Sequence, residues 1–133
     1  GEININNNAI VKLSTDYGSN SGVILSDDAI SIFNGATLAG SGNAQSFLFA
    51  ISMKTGEDAI DINNNVTGAV FYAPNGTIDV SNGVHIQELT AKKIHLNNNA
   101  VLTYNSGLAT TGYSISSTTS GAWIIKKGTW VVL

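Results

Sequence analysis

Large aliphatic residues alternate with polar ones along most of this chain. Ile3-Asn4-Ile5, Ile30-Ser31-Ile32, Ile60-Asp61-Ile62, Ile78-Asp79-Val80 and Ile94-His95-Leu96 all follow the same rule. An extended strand turns successive side chains to opposite faces, so each triplet offers two aliphatics to a core and one polar group to solvent. Helical spacing is nearly absent. Gln87–Lys93 comes closest, but it is short, lies among alternating segments and reads as strand or turn. The pattern predicts an all-β chain.

Four of these strands run into near-identical bends. The bends are Asn6-Asn7-Asn8 after Ile5, Asn63-Asn64-Asn65 after Ile62, Ser81-Asn82-Gly83 after Val80, and Asn97-Asn98-Asn99 after Leu96. Phe33-Asn34-Gly35 after Ile32 is a weaker member. The last three clear members begin at 60, 78 and 94, spacings of 18 and 16 residues, which is near one coil of a small β-helix. In a sandwich, turns occupy unrelated corners and have no reason to match. In a β-solenoid they stack at the strand spacing of ~4.8 Å, where Asn side chains hydrogen-bond along the column. The expected fold is a single-stranded parallel β-helix (β-solenoid) with coils of 16–18 residues. A β-sandwich or jelly roll with Asn-rich hairpins is the alternative.

The coils read most clearly over residues 60–108. The first half is irregular, with longer loops at Asp16–Gly22 and Ala39–Ala44, and Gln45–Met53 reads as an apolar strand or a pair of coils. Residues 109–133 read as a C-terminal cap or assembly segment. Trp123 and Trp130 would close a terminal coil that otherwise exposes core and strand edge, and Ile3 and Ile5 take that part at the other end. No linker composition interrupts the chain, so residues 1–133 are read as one domain. Starting at Gly1 without an initiator Met, it reads as a processed or excised product.

Composition narrows the function. With 43% hydrophobic residues, 11% charged and a net charge of −3, the chain is not of the disordered class. Its six basic residues are all Lys, and only Lys92-Lys93 and Lys126-Lys127 are adjacent, too little positive charge to track phosphates, so no nucleic acid is expected as partner. No apolar run reaches the ~20 residues of a membrane span. There is no Cys, which removes disulfides and thiolate metal sites. Sixteen Asn and 14 Gly, the residues most tolerant of positive φ, fit a chain of short strands and tight corners.

Chemistry is sparse. Asp61, Asp79 and His95 hold the same central slot of successive repeats, so stacking would line them up on an outer face, where any polar residue also serves. Paired carboxylates of that kind are what a polysaccharide hydrolase on a β-helix would need, although the Arg that lyases use against uronates is missing. His85 and His95 are ten residues apart with no Cys to assist, and Asp27-Asp28 and Glu57-Asp58 form no recognised calcium loop. No catalytic, cofactor or metal residues are assigned. Tyr17, Tyr72, Tyr104, Tyr113, Trp123 and Trp130 are the aromatics a carbohydrate-binding face would draw on.

The run Val70-Phe71-Tyr72-Ala73-Pro74-Asn75-Gly76, followed by Ser81-Asn82-Gly83 and then Leu96-Asn97-Asn98-Asn99-Ala100, resembles an uncharacterised bacterial β-solenoid domain. That domain occurs in surface proteins and in C-terminal regions of proteins like type IV pilus minor pilins and pilus-assembly factors. The resemblance covers residues 60–108 and brings no catalytic residues with it. It implies a bacterial protein at the cell surface or outside the cell. The function expected is a non-enzymatic structural or interaction module, an adhesive or self-assembling subunit of a pilus-like appendage or other filament. Its partners would be further copies or other appendage subunits; a carbohydrate-binding module is the alternative, and a polysaccharide-active enzyme a more distant one.

Overall fold

The computed structural model describes residues 1–68 and 70–103. Residues 104–108 of the repeat region, the cap assigned to 109–133, and with it Trp123 and Trp130, lie outside the described residues. Eleven strands follow one another: β1 (Ile3–Ile5), β2 (Ile10–Lys12), β3 (Gly22–Ser26), β4 (Ile30–Phe33), β5 (Thr37–Ala39), β6 (Leu48–Ser52), β7 (Gly56–Asn63), β8 (Val70–Val80), β9 (His85–Ile86), β10 (Glu88–Leu96) and β11 (Val101–Leu102). One 3-10 turn, Thr15–Tyr17, is the sole helical element among the described residues. Gln87–Lys93 falls largely within β10. The protein is all-β.

Every strand pairing among the described residues is parallel. A seven-stranded sheet runs β1-β4-β7-β8-β6-β3 with β10 also on β8, while β2 pairs β5 and β9 pairs β11. Single bridges from Thr37 to Thr67 and from Thr67 to His85 join the two small pairs. The alternating triplets therefore stack in register. Ile3, Ile30, Ile60, Ile78 and Ile94 form one column, and Ile5, Ile32, Ile62, Val80 and Leu96 form the next. A parallel ladder needs a long return before the chain can pair with itself again, and these returns take 27, 30, 18 and 16 residues. The last two match the spacing read from the sequence. The first two correct it, because the loops at 13–22 and 40–47 lengthen the early passes without disturbing register. The segment 45–53 supplies one strand, β6, rather than two passes.

Between the two isoleucine columns and the β2/β5 side, the chain turns the same corner five times. Asn7 and Asn8, Asn34 and Gly35, Asn64 and Asn65, Asn82 and Gly83, and Asn98 and Asn99 all have positive φ, between 44° and 73°. Asn is the residue with a side chain that occupies this region most readily, because its amide bonds locally. Backbone bonds join the corners: Asn8 N–H to Asn34 O at 2.8 Å, Gly35 N–H to Asn64 O at 2.8 Å, Asn65 N–H to Asn82 O at 3.0 Å and Gly83 N–H to Asn98 O at 3.3 Å. Side chains add to them. Asn34 Nδ2 donates to Asn6 Oδ1 at 2.7 Å and Asn82 Nδ2 to Asn63 Oδ1 at 2.6 Å. Where Phe33 replaces the first Asn and has no oxygen to offer, Asn64 Nδ2 turns to Asn34 Oδ1 at 3.0 Å.

The last corner position alternates Asn8, Gly35, Asn65, Gly83, Asn99 from pass to pass, and sterics explain why. A Cβ on Gly83 would lie 2.6 Å from Asn65 Oδ1, and one on Gly35 would collide with Asn8 Oδ1. Each Asn side chain occupies the space above it. A second corner uses serine: Ser52 Oγ donates to Asp28 O at 2.8 Å and accepts from the Lys54 amide, as Ser26 Oγ does with Gly1 O and the Asp28 amide.

Ile30, Ile32, Ile60, Ile62, Ile78, Val80 and Phe71 are fully buried. Burying one such side chain stabilises the fold by about 1.5–3 kcal/mol. Truncating Ile78 to Ala in the central rung is expected to cost about 2–5 kcal/mol in urea unfolding. Gly83→Ala sets a methyl against the Asn65 amide at a left-handed position, and a loss of about 1–2 kcal/mol is expected. In an Asn65→Gly background the steric part disappears, so the double-mutant cycle should show coupling; additive losses would contradict this account of the alternation.

Candidate functional site

The central residues of the triplets form an outer column. Parallel register sets Asn4, Ser31, Asp61, Asp79 and His95 on five successive rungs, as the repeat alone predicts for Asp61, Asp79 and His95. His95 Nδ1 and Asp79 Oδ1 are 2.7 Å apart. Asp61 lies one rung below Asp79, without an ion-pair partner among the described residues. Burial first, then the charges of Asp79 and Asp58, raise the pKa of Asp61 above the ordinary carboxylate value.

A residue that sequence reasoning did not place here joins the column. β7 pairs with β8 at Gly56–Gly76 and again at Ile60–Ile78, so four steps along β7 match two along β8. The surplus is a bulge containing Glu57 and Asp58, with Asp58 at φ 51°. Bulges re-aim side chains, and this one brings Glu57 beside residues two rungs away. One donor atom each from Glu57, Asp79 and His95 lie within 4.8 Å of one another. Lys93 Nζ also approaches Glu57 Oε1, at 3.5 Å. The signal in the sequence is the acidic pair after Gly56, but the length of the bulge is not legible without the register.

The other chemical candidates fall elsewhere. Asp28 accepts from the Ala29 amide and Asp27 contacts the Gly1 ammonium, so the two are engaged separately. His85 stands in a different outer column, between Thr67 and Val101. Tyr72 is partly exposed in the outward row Leu25–Ile51–Tyr72–Thr90, which holds no second aromatic residue. Tyr17 is exposed in the 3-10 turn. Tyr104 and Tyr113 lie outside the described residues. Gln87 Oε1 is buried without a hydrogen-bond partner, in a depression shared with Leu38, Phe47 and Thr67.

The assembly candidates are structurally distinct from this column. Asn6, Asn7, Asn8, Asn63, Asn64, Asn65, Asn82, Asn97, Asn98 and Asn99 occupy the stacked corners. Ile3 and Ile5 lie on β1, which among the described residues pairs only with β4, with Ile5 turned into the core. Strands β2 and β3 are likewise paired on one side only, with β5 and β6. Among the described residues, that end of the stack thus offers three unpaired edges. Among the described residues no helix is long and apolar enough to cross a membrane. No family model, curated protein or solved structure matches this chain.

The raised pKa of Asp61 fixes a pH dependence. A carboxyl whose folded pKa exceeds its unfolded value binds its proton more tightly in the fold, so stability falls as pH rises through that interval. Asp61→Asn is therefore expected to raise the urea midpoint at pH 7. The gain should shrink as pH drops and vanish below the ordinary carboxylate pKa of 3.8, where both states are protonated. A gain that persisted unchanged at low pH would point to packing rather than charge.

Proposed function

We propose that this chain is a single-domain β-solenoid acting as a non-enzymatic structural and interaction module at the bacterial cell surface, where copies assemble end to end into an appendage. Support for the solenoid comes from the parallel pairing of every described strand, since a sandwich or jelly roll of hairpins pairs its neighbours antiparallel. The observation that carries the assembly reading is the set of three edges, at β1, β2 and β3, that no other described strand pairs. Unpaired strand edges are templates for adding another strand, and added strands gain affinity from main-chain bonds. The corner bonds have a polarity that suits head-to-tail addition. Corner amides donate to the following pass, so the first corner presents acceptors. The resemblance read over residues 60–108 to a solenoid domain of surface and pilus-associated proteins points the same way.

Ile3 N–H donates to Ala29 O, so by alternation the Asn4 N–H and C=O point away from β4 toward the open edge. Asn4→Pro removes that edge donor while leaving the bonds to β4 intact. The wild-type protein is expected to form concentration-dependent oligomers in sedimentation velocity and filaments in negative-stain electron microscopy. Asn4→Pro should suppress both with little change in melting temperature. A wild-type protein that stays monomeric at high concentration would overturn the proposal. A carbohydrate-binding role is the second reading, favoured by the exposed ring of Tyr72; it predicts glycan retention that Tyr72→Ala abolishes.

A further inference from the structure

The outer column carries a donor set that neither the core nor the proposed assembly uses. Asp79 and His95 occupy adjacent rungs, and the β7 bulge brings Glu57 alongside, so one oxygen from each carboxylate and one imidazole nitrogen converge within 4.8 Å. The side chains of Asp79 and His95 are 26% and 38% exposed, and that of Glu57 is 65% exposed. Asp79 and His95 are tied to each other by a hydrogen bond, and the more exposed Glu57 is paired with Lys93. We propose that Glu57, Asp79 and His95 form a surface binding site for a divalent transition-metal ion of the zinc class.

Several features fit this assignment. Two carboxylates supply two negative charges against a dication, and the imidazole distinguishes the set from an ordinary acidic cluster. Zinc binds His nitrogen and carboxylate oxygen at about 2.0–2.2 Å in tetrahedral geometry, and accepts three protein ligands with a fourth position open to solvent. Calcium takes six to eight oxygens and magnesium demands an octahedron of oxygens, so a mixed set of three discriminates against both. The His95–Asp79 contact of 2.7 Å is shorter than the spacing of two ligands around one ion. Binding therefore replaces that hydrogen bond with two metal bonds and requires a modest rotation of one side chain. Lys93, 3.5 Å from Glu57, competes for it and must turn away.

The test is isothermal titration of tag-free protein at pH 7 with zinc chloride, and separately with calcium and magnesium chlorides. One equivalent of zinc should bind, with no heat from calcium or magnesium at the same concentrations. His95→Ala and Asp79→Asn should each weaken zinc binding at least tenfold and Glu57→Gln several-fold, whereas His85→Ala leaves it unchanged. Nitrogen-15 spectra of the imidazoles in the wild-type protein give a readout that needs no variant to fold: zinc should shift the His95 ring nitrogens and spare those of His85. Absence of zinc binding overturns the proposal, as does binding that depends on His85 instead of His95. Because the titration is done on dispersed protein, neither outcome depends on whether copies assemble.

Discussion

When parallel strands pair without slipping, each residue sits on its counterpart in the next pass, and like side chains must tolerate like. The rest of this molecule follows from that condition. Aliphatic residues meet aliphatic residues and build the buried columns of Ile30, Ile60 and Ile78, and of Ile32, Ile62 and Val80. Asn tolerates such stacking because its amide is both donor and acceptor, so a column of identical groups can satisfy itself. A carboxylate has acceptors only. Asp61 beneath Asp79 is the position where register works against the fold: burial first, and then the charge of Asp79, raise its pKa. His95 above Asp79 relieves the pair on one side by hydrogen bonding.

The corners show how narrowly the condition is met. Two consecutive left-handed residues are needed at every turn, and Asn or Gly fills all ten of those positions. Two Asn residues in every pass would crowd the column, since each side chain reaches over its neighbour. Gly35 and Gly83 open the space that the side chains of Asn8 and Asn65 take. Conformational freedom and packing thus select glycine together, and the alternation reads as one steric rule applied twice. Ser26 and Ser52 solve the other corner by a different means, a hydroxyl that accepts from its own loop and donates to the pass before.

Much of this was legible in the sequence. The alternating triplets named the strands, and the matched Asn bends implied that corners coincide, because only stacked corners have a reason to be alike. The central residues Asp61, Asp79 and His95 were aligned by counting alone. The long passes were not legible, since the loops at 13–22 and 40–47 hide a regular register behind an irregular spacing, and Phe33 disguised the second corner. Glu57 was named only as half of an acidic pair with Asp58, and its place beside Asp79 and His95 was missed for a related reason. Its placement depends on a bulge two residues long, and nothing local to Gly56-Glu57-Asp58 states how far β7 runs ahead of β8.

The central claim is that residues 30–32, 60–62, 78–80 and 94–96 are stacked, parallel and in register. Nuclear Overhauser contacts on uniformly labelled protein address it directly. The account predicts methyl contacts between Ile30 and Ile60, Ile60 and Ile78, and Ile78 and Ile94, with the cross-strand Hα-to-amide pattern of parallel pairing. Strong Hα-to-Hα contacts between these segments, which belong to antiparallel neighbours, or methyl contacts displaced by one residue from those pairs, would contradict it.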